Sequence, residues 1–285
     1  MTSGNTLLRA VCPECSSELD DRSLMLRRMV VRALVKAGRG HLGPAMSLIE
    51  ILRVFYDDIL RIRPDDPSWA DRDRLILSKG HGCLALYALL ADKGFFPPSV
   101  LDTFCAFDSI LGGHPEYGSI PGVEASTGAL GHGLSIGLGL ALAARLKRKS
   151  WRVFVVMGDG ELNEGSVWEA AMAASKHRVD SLTAVIDYNK MQSYGPTSVV
   201  LDMEPLADKW RSFGFAVREV DGHNVSALRE ALSGAPFESG RPSALICHTV
   251  KGKGVPMAEN NADWHHKNKL KDNELTAIRA ALGDF

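Results

Sequence analysis

The feature that most constrains this chain is a repeated alternation. Short continuous apolar runs, among them "RVFVVM" (152–157) and "LTAVID" (182–187), are each followed by a stretch with helical patterning. Runs this short, rich in β-branched residues and bounded by glycine or polar turns, read as strands. A strand that shows no polar alternation is buried on both faces, which is the habit of parallel sheets. The expected fold class is therefore α/β, a parallel sheet flanked by helices on both faces.

Residues 1–18 read as an irregular N-terminal arm and 19–285 as a single domain, since no repeat and no Pro-, Gly- or Ser-rich linker divides the chain. Ser17 or Asp20 can cap a first helix that runs to Ala37, with Gly38 as its stop. "SLIE" (47–50) has the form of a capping box, Ser47 with Glu50, opening a helix towards Leu60. Further strands are expected at 75–77, 215–220 and 243–249. Further helices are expected at 82–94, 133–147, about 163–176, 204–213, 225–233 and 272–282. A glycine-rich loop fills 111–128 and another loop fills 251–268.

The totals exclude some roles. A net charge of −1 over 285 residues argues against a broad nucleic-acid or membrane surface. No apolar run approaches a membrane span, and the first twenty residues lack the basic start and apolar block of a secretory leader. The five cysteines (Cys12, Cys15, Cys83, Cys105 and Cys247) are odd in number and scattered, which suits a reducing compartment. A cytoplasmic location is the expectation. Cys12 and Cys15 form a C-P-E-C pair without the second pair that a structural zinc needs, so they are expected to be free thiols.

The polar clusters fall just after predicted strands, where open parallel sheets bind their ligands. "GDG" (158–160) follows strand 152–157, and Asn189 follows strand 182–187. The intervening helix is a crossover, so both strand ends can lie on one edge of the sheet. An aspartate and an asparagine offer oxygen ligands to a hard cation such as Mg²⁺ or Ca²⁺, which shares its coordination with phosphate oxygens. Gly158 and Gly160 let backbone N–H groups approach a phosphate. By itself GDG could be a tight turn whose aspartate caps the next helix. Asn189, with 28 residues between it and Gly160, turns the reading towards a metal-bridged diphosphate. There is no P-loop signature for a nucleotide.

The spacing resembles the thiamine-diphosphate motif, GDG followed after a crossover by Asn, with Asn-Lys at 189–190 where many members have Asn-Asn. Of the nine histidines, His41, His81, His114, His132 and His265 each sit beside glycine or a turn. The stretches "GHLGPAMSLIEIL", "DRLILSKGHGCLALYALL", "GGHPEYGSIPGVEASTGALGHGLSIGLGLALA", "GDGELNEGSVWEAAMAA" and "TVKGKGVPMAENNADWHHK" span roughly residues 20 to 270. In this order they resemble the N-terminal, diphosphate-binding half of the transketolase family.

The resemblance implies a set of roles. Asp159, Asn189 and the Met191 carbonyl would hold Mg²⁺ or Ca²⁺. Gly158, Gly160, His81 and His265 would lie at the diphosphate of thiamine diphosphate, with Glu161 among the cofactor contacts. Gly128 and Leu130 would face the aminopyrimidine through backbone groups. His41, His114 and His265 would surround the sugar at the reacting carbon, where histidine can move protons near neutrality. Glu164, Lys79 and Lys251 would join a buried charge network near the cofactor and a dimer interface.

"GHLGP" replaces the family's "GHPGAP", "LGHG" replaces "LGQG", which leaves His132 without an assigned role, and "WHHK" replaces "WHGK". The family's next domain, with the glutamate that activates the aminopyrimidine and the residues that grip a sugar phosphate, is not in this sequence. The expectation is one subunit of a split transketolase, active with a separate pyrimidine-binding chain in an α₂β₂ assembly. It would move a two-carbon ketol unit from a ketose, expected to be phosphorylated, to an aldose. Two alternatives stay open: a thiamine enzyme that passes the two-carbon unit to a carrier thiol, and a non-catalytic subunit that holds the cofactor for assembly.

Overall fold

The computed structural model describes residues 17–267 and 269–285. Most of the N-terminal arm, with Cys12 and Cys15, lies outside the described residues. The chain begins with α1 (Asp21–Ala37), α2 (Leu42–Met46) and α3 (Ile49–Val54), followed by β1 (Arg74–Leu77), α4 (Cys83–Asp92) and α5 (Gly133–Leu146). Next come β2 (Val153–Gly158), α6 (Gly165–Lys176), β3 (Leu182–Tyr188), α7 (Thr197–Val200) and α8 (Leu206–Ser212). β4 (Ala216–Asp221), α9 (Val225–Ser233), β5 (Ser243–His248) and α10 (Asp272–Leu282) complete it.

The five strands form one parallel sheet in the order β1-β2-β3-β5-β4. Every residue of β1, β2 and β3 is buried, as their unbroken apolar runs require. β4 is an edge strand and exposes Arg218 and Glu219. Successive residues of each strand feed opposite faces. Leu75, Leu77, Phe154, Val156, Val185 and Leu245 pack with α1, α3 and α4 on one side. Ile76, Val153, Val155, Met157, Ile186 and Ile246 pack with α5, α6 and α8 on the other. The register pairs Val155 with Ile76 and Ala184, so side chains of one face stay in layer across the sheet.

Local signals behave unevenly. Asp20 caps α1 by accepting from the Ser23 N–H at 2.9 Å, and Gly38 ends it with φ 62°. Ser17 does not cap; it donates to Asp221 at 3.0 Å. The predicted capping box at Ser47 and Glu50 does not form. Ser47 is the C-cap of α2, and α3 starts at Ile49 with no side-chain cap. The predicted helix to Leu60 becomes α3 followed by a single π-helical segment, Phe55–Ile59. A 3₁₀ turn, Gly160–Asn163, separates GDG from α6, which starts at Gly165.

Glu50 has a tertiary role instead. Its carboxylate, 1% exposed, accepts from Arg27 Nη1 at 2.6 Å and Nη2 at 3.0 Å. His223 joins the pair. The Val250 N–H donates to its Nε2 at 2.8 Å, so Nδ1 carries the hydrogen and donates to Glu50 at 2.8 Å. Burial alone would raise the Glu50 carboxyl, but the Arg27 charge and the His223 bond hold it far below the usual carboxylate range. Arg27 Nε also donates to the Lys253 carbonyl at 2.9 Å. The cluster therefore ties α1 and α3 to the segment after β5. Glu50→Gln leaves Arg27 without its counter-charge and is expected to cost about 3–5 kcal/mol. Removing the exposed Arg211–Asp208 pair should cost about 1 kcal/mol or less. Equilibrium chemical denaturation of the purified chain measures both.

Candidate functional site

The ends of β2 and β3 meet because Gly158 is in register with Asp187. Asp159 and Asn189 thus project from neighbouring strand ends and are 2% and 5% exposed. One Asp159 oxygen accepts from the Gly160 N–H at 2.8 Å and the other from the Lys190 N–H at 2.5 Å. Asn189 Oδ1 accepts from the Met191 N–H at 3.1 Å, and the Met191 carbonyl accepts from Lys251 Nζ at 3.1 Å. Lys190 has φ 65°, a left-handed conformation that asparagine tolerates better than lysine.

Beneath these groups lies Asp187, which is fully buried. Its carboxylate accepts from Lys79 Nζ at 2.5 Å, Ser47 Oγ at 2.6 Å, Asn189 Nδ2 at 3.3 Å and the Thr249 hydroxyl. Burial alone would raise its pKa, but Lys79 and the hydroxyls bring it below the usual value. Among the described residues no cation pairs with Asp159, and Lys79 acts on it only from its pairing with Asp187. Burial, and then the Asp187 charge, push its pKa up to about 7. The pocket therefore holds one compensated carboxylate and one uncompensated carboxylate. Glu161, 2% exposed, accepts from the Gly131 N–H at 2.9 Å, the Gly158 N–H at 3.2 Å and the Ser78 hydroxyl. It locks the glycine-rich loop to the start of the GDG turn.

A cavity of about 240 Å³ opens over this edge. His41, Lys79, His81, Gly128, Leu130, Gly158, Asp159, Gly160, Glu161, Asn189, Met191, Lys251 and His265 all line it. Gly128 has φ 138°, and its N lies 2.8 Å from where a Cβ on Gly80 would sit, so two loop backbones touch at the cavity wall. His114 is exposed and lines an adjoining cavity instead, its ring 3.1 Å from where a Cβ on Gly128 would be. Glu164 is exposed and caps α6 through its backbone only, so within this chain it joins no buried charge network. His132 is exposed, bonds the Leu130 carbonyl at 2.9 Å and lies outside the cavity.

The histidines pack together. Ring centroids lie 5.7 Å apart for His41 and His81, 5.5 Å for His81 and His265, and 5.2 Å for His41 and His266. Burial, then His266, His114 and Lys251, bring His41 down to about 4. Burial, then Lys251, brings His265 down to about 2, and burial, then Lys79, takes His81 well below its ordinary value. These three rings are neutral at pH 7 and can accept or donate hydrogen bonds and protons. Lys251 Nζ lies 2.6 Å from His265 Nδ1, and the other ring nitrogen of His265 lies 3.3 Å from Ser193 Oγ. Burial, then Lys79, lowers the Lys251 ammonium to about 8.

The sequence reading missed Asp187, His266 and Gln192. Asp187 had a signal, as the single acid in an otherwise apolar run. Gln192 lies against Gly160, and its Nε2 is a buried donor with no partner among the described residues. No cluster of three or more His, Cys, Asp or Glu there is arranged to hold a metal. The oxygens at this edge are one carboxylate, one amide and one carbonyl. That donor set suits a hard cation whose remaining ligands come from elsewhere. The uncompensated Asp159 charge and the orphaned Gln192 donor both fit a bound cation with an anionic ligand.

Comparison with known proteins agrees with this geometry. Residues 21–284 match the family model described as transketolase, thiamine diphosphate binding domain. The chain is 43% identical to one of the subunits of the apulose-4-phosphate transketolase of Phocaeicola vulgatus, over 89% of this chain and 90% of that protein. It is 41% identical to the 6-deoxy-6-sulfo-D-fructose transketolase subunit SqwG of a Clostridium species, over 93% and 96%. A Pichia stipitis transketolase solved with sedoheptulose-7-phosphate superposes with a TM-score of 0.87 at 29% identity, over 93% of this chain and 40% of that one. The chain belongs to the transketolase family, as its thiamine-diphosphate-binding domain.

Proposed function

We propose that this chain is the diphosphate-binding subunit of a two-chain transketolase that transfers a two-carbon ketol unit from a phosphorylated ketose to an aldose. The observation that carries the reading is the pairing of Asp159 and Asn189 at adjacent strand ends beneath a cluster of neutral histidines. Asp159, Asn189 and the Met191 carbonyl would hold Mg²⁺ or Ca²⁺. Gly158, Gly160, Gln192 and His81 would bind the diphosphate. When bound, thiamine diphosphate supplies the electron sink for carbon–carbon bond cleavage. This chain's residues orient the sugar: neutral His41 and His265 can accept a hydrogen bond from the donor hydroxyl and donate one to the acceptor oxygen. Lys251 keeps His265 in one orientation by its contact with Nδ1.

A separate pyrimidine-binding chain, with two copies of each subunit, is part of the proposal. Relatives matched along nearly their whole length are named as transketolase subunits. The cavity, at about 240 Å³, is below the roughly 300–1,000 Å³ of complete small-molecule sites, so a wall from another chain has room to complete it. Glu164, exposed here, would face that second chain. The free thiols of Cys83, Cys105 and Cys247 support a cytoplasmic location.

Ketol transfer by this chain reconstituted with its partner, assayed with D-xylulose 5-phosphate and with neutral and sulfonated ketoses, tests the reading. Turnover is expected only with both chains present. Full activity from this chain alone would remove the partner. No turnover with any ketose would favour transfer to a carrier thiol or a purely structural role. Asp159→Ala should abolish metal-dependent cofactor binding by calorimetry. Because the Asp159 pKa is raised to about 7, the group is protonated below that pH and must lose its proton to bind metal. Binding at pH 6 should release about one proton and be weaker than at pH 8, where release falls away. Paired titrations in buffers of different ionisation enthalpy measure this. His41→Ala and His114→Ala should bind cofactor almost normally yet turn over about a hundredfold or more slowly. Wild-type rates in both would exclude them from the sugar site.

A further inference from the structure

A second cavity, of about 360 Å³, adjoins the first and shares His41 and His266 with it. Arg39, Gly40, Phe104, Cys105, Gly113 and His114 complete its lining, and none of these residues is a carboxylate. Arg39 brings a guanidinium to this lining. The backbone fixes its place. Gly38 closes α1 with φ 62°, and Gly40 has φ 133°, with a Cβ there coming 3.0 Å from Leu84 and 3.2 Å from Phe104. Two glycine-specific conformations thus turn the chain from α1 to His41 and leave Arg39 at the rim between them.

The charge of Arg39 has no counter-ion among the described residues. Arg32 and Lys36, on the preceding helix α1, both pair with Asp102, at 2.9 and 3.1 Å. Among the described residues no carboxylate lies within ion-pair distance of Arg39, which is exposed to the cavity mouth. His41 and His266, shared by both cavities, connect the rim to the place where the reacting carbon would sit. An elongated ligand with its reactive end at His41 can therefore extend its far end towards a guanidinium.

We propose that Arg39 reads a tetrahedral oxyanion, phosphate or sulfonate, at the far end of the sugar substrate. This rests on the ketol-transfer reading of the site and adds to it. The family resemblance assigns the grip on the sugar phosphate to the next domain, whereas Arg39 gives this chain its own contact with that group. A guanidinium offers two parallel N–H donors to such an oxyanion, which an ammonium cannot reproduce.

The assembled enzyme tests it through a ratio. Arg39→Ala should lower the preference for D-xylulose 5-phosphate over D-xylulose, as a ratio of kcat/KM values, by about tenfold or more, chiefly through KM. Arg39→Lys should recover part of the loss. Unchanged ratios for both the phosphorylated and a sulfonated ketose overturn the inference whatever happens to the absolute rates. The same ratio for a sulfonated ketose separates the two oxyanions. Dependence on Arg39 with either supports the inference and identifies the end group, and dependence with neither overturns it. A second measurement needs no turnover. His41, His114 and His266 are followed by NMR while the chain is titrated with D-glyceraldehyde 3-phosphate or D-glyceraldehyde. The phosphorylated aldose should saturate at lower concentration in the wild type, and this advantage should vanish in Arg39→Ala. Equal titration by both sugars, or an advantage that survives the substitution, overturns the inference. An assembled enzyme inert towards every ketose would sink the functional reading, while the titration would still decide the role of Arg39.

Discussion

The carboxyl edge of the sheet is organised around one buried carboxylate, Asp187. Its partners come from different parts of the chain: Lys79 after β1, Ser47 between α2 and α3, Asn189 after β3 and Thr249 after β5. Lys79, Ser47 and Thr249 lie far from it in sequence, yet they converge with the neighbouring Asn189 on two oxygen atoms. A buried carboxylate without such partners would be protonated or expelled. Satisfying it therefore holds four segments at fixed distances, and Asp159 is one strand away from that fixed point. The position of Asp159 follows from the need to satisfy Asp187.

The contrast between the two aspartates gives the site its character. Asp187 is balanced internally, whereas the Asp159 carboxyl, raised to about 7, has no counter-ion among the described residues. The histidines above them are neutral because burial and neighbouring ammonium groups disfavour another positive charge. The pocket thus separates a place for a cation, at the strand ends, from a place for proton movement, among the imidazoles. The two lie against each other with Lys251 between them, in contact with both the Met191 carbonyl and His265.

Much of this was legible in the sequence. The buried strands announce themselves because residues flanked by helices on both sides leave no wet face for polar alternation. GDG and Asn189 are legible because strand ends in such a sheet are where ligands go. What was not legible depended on distant partners. Ser47 and Glu50 fit a local capping pattern, but Ser47 reaches Asp187 across 140 positions and Glu50 reaches His223 across 173. Two tertiary bonds outweighed one local cap. His265 and His266 are neighbours on an irregular segment, with no period to show that both would line the same cavity. The left-handed backbone at Lys190 was visible only as an Asn-to-Lys departure, whose meaning required the φ angle.

The cluster of Arg27, Glu50 and His223 also has a kinetic meaning. It grips the strap after β5 at the Val250 amide and the Lys253 carbonyl, on either side of Lys251. Swinging that strap outward would leave Arg27 Nε and His223 Nε2 without partners inside the core. The strap is thus anchored from beneath, while the pocket adjoins a second cavity, beside His114 and the glycine-bracketed turn, through the shared His41 and His266.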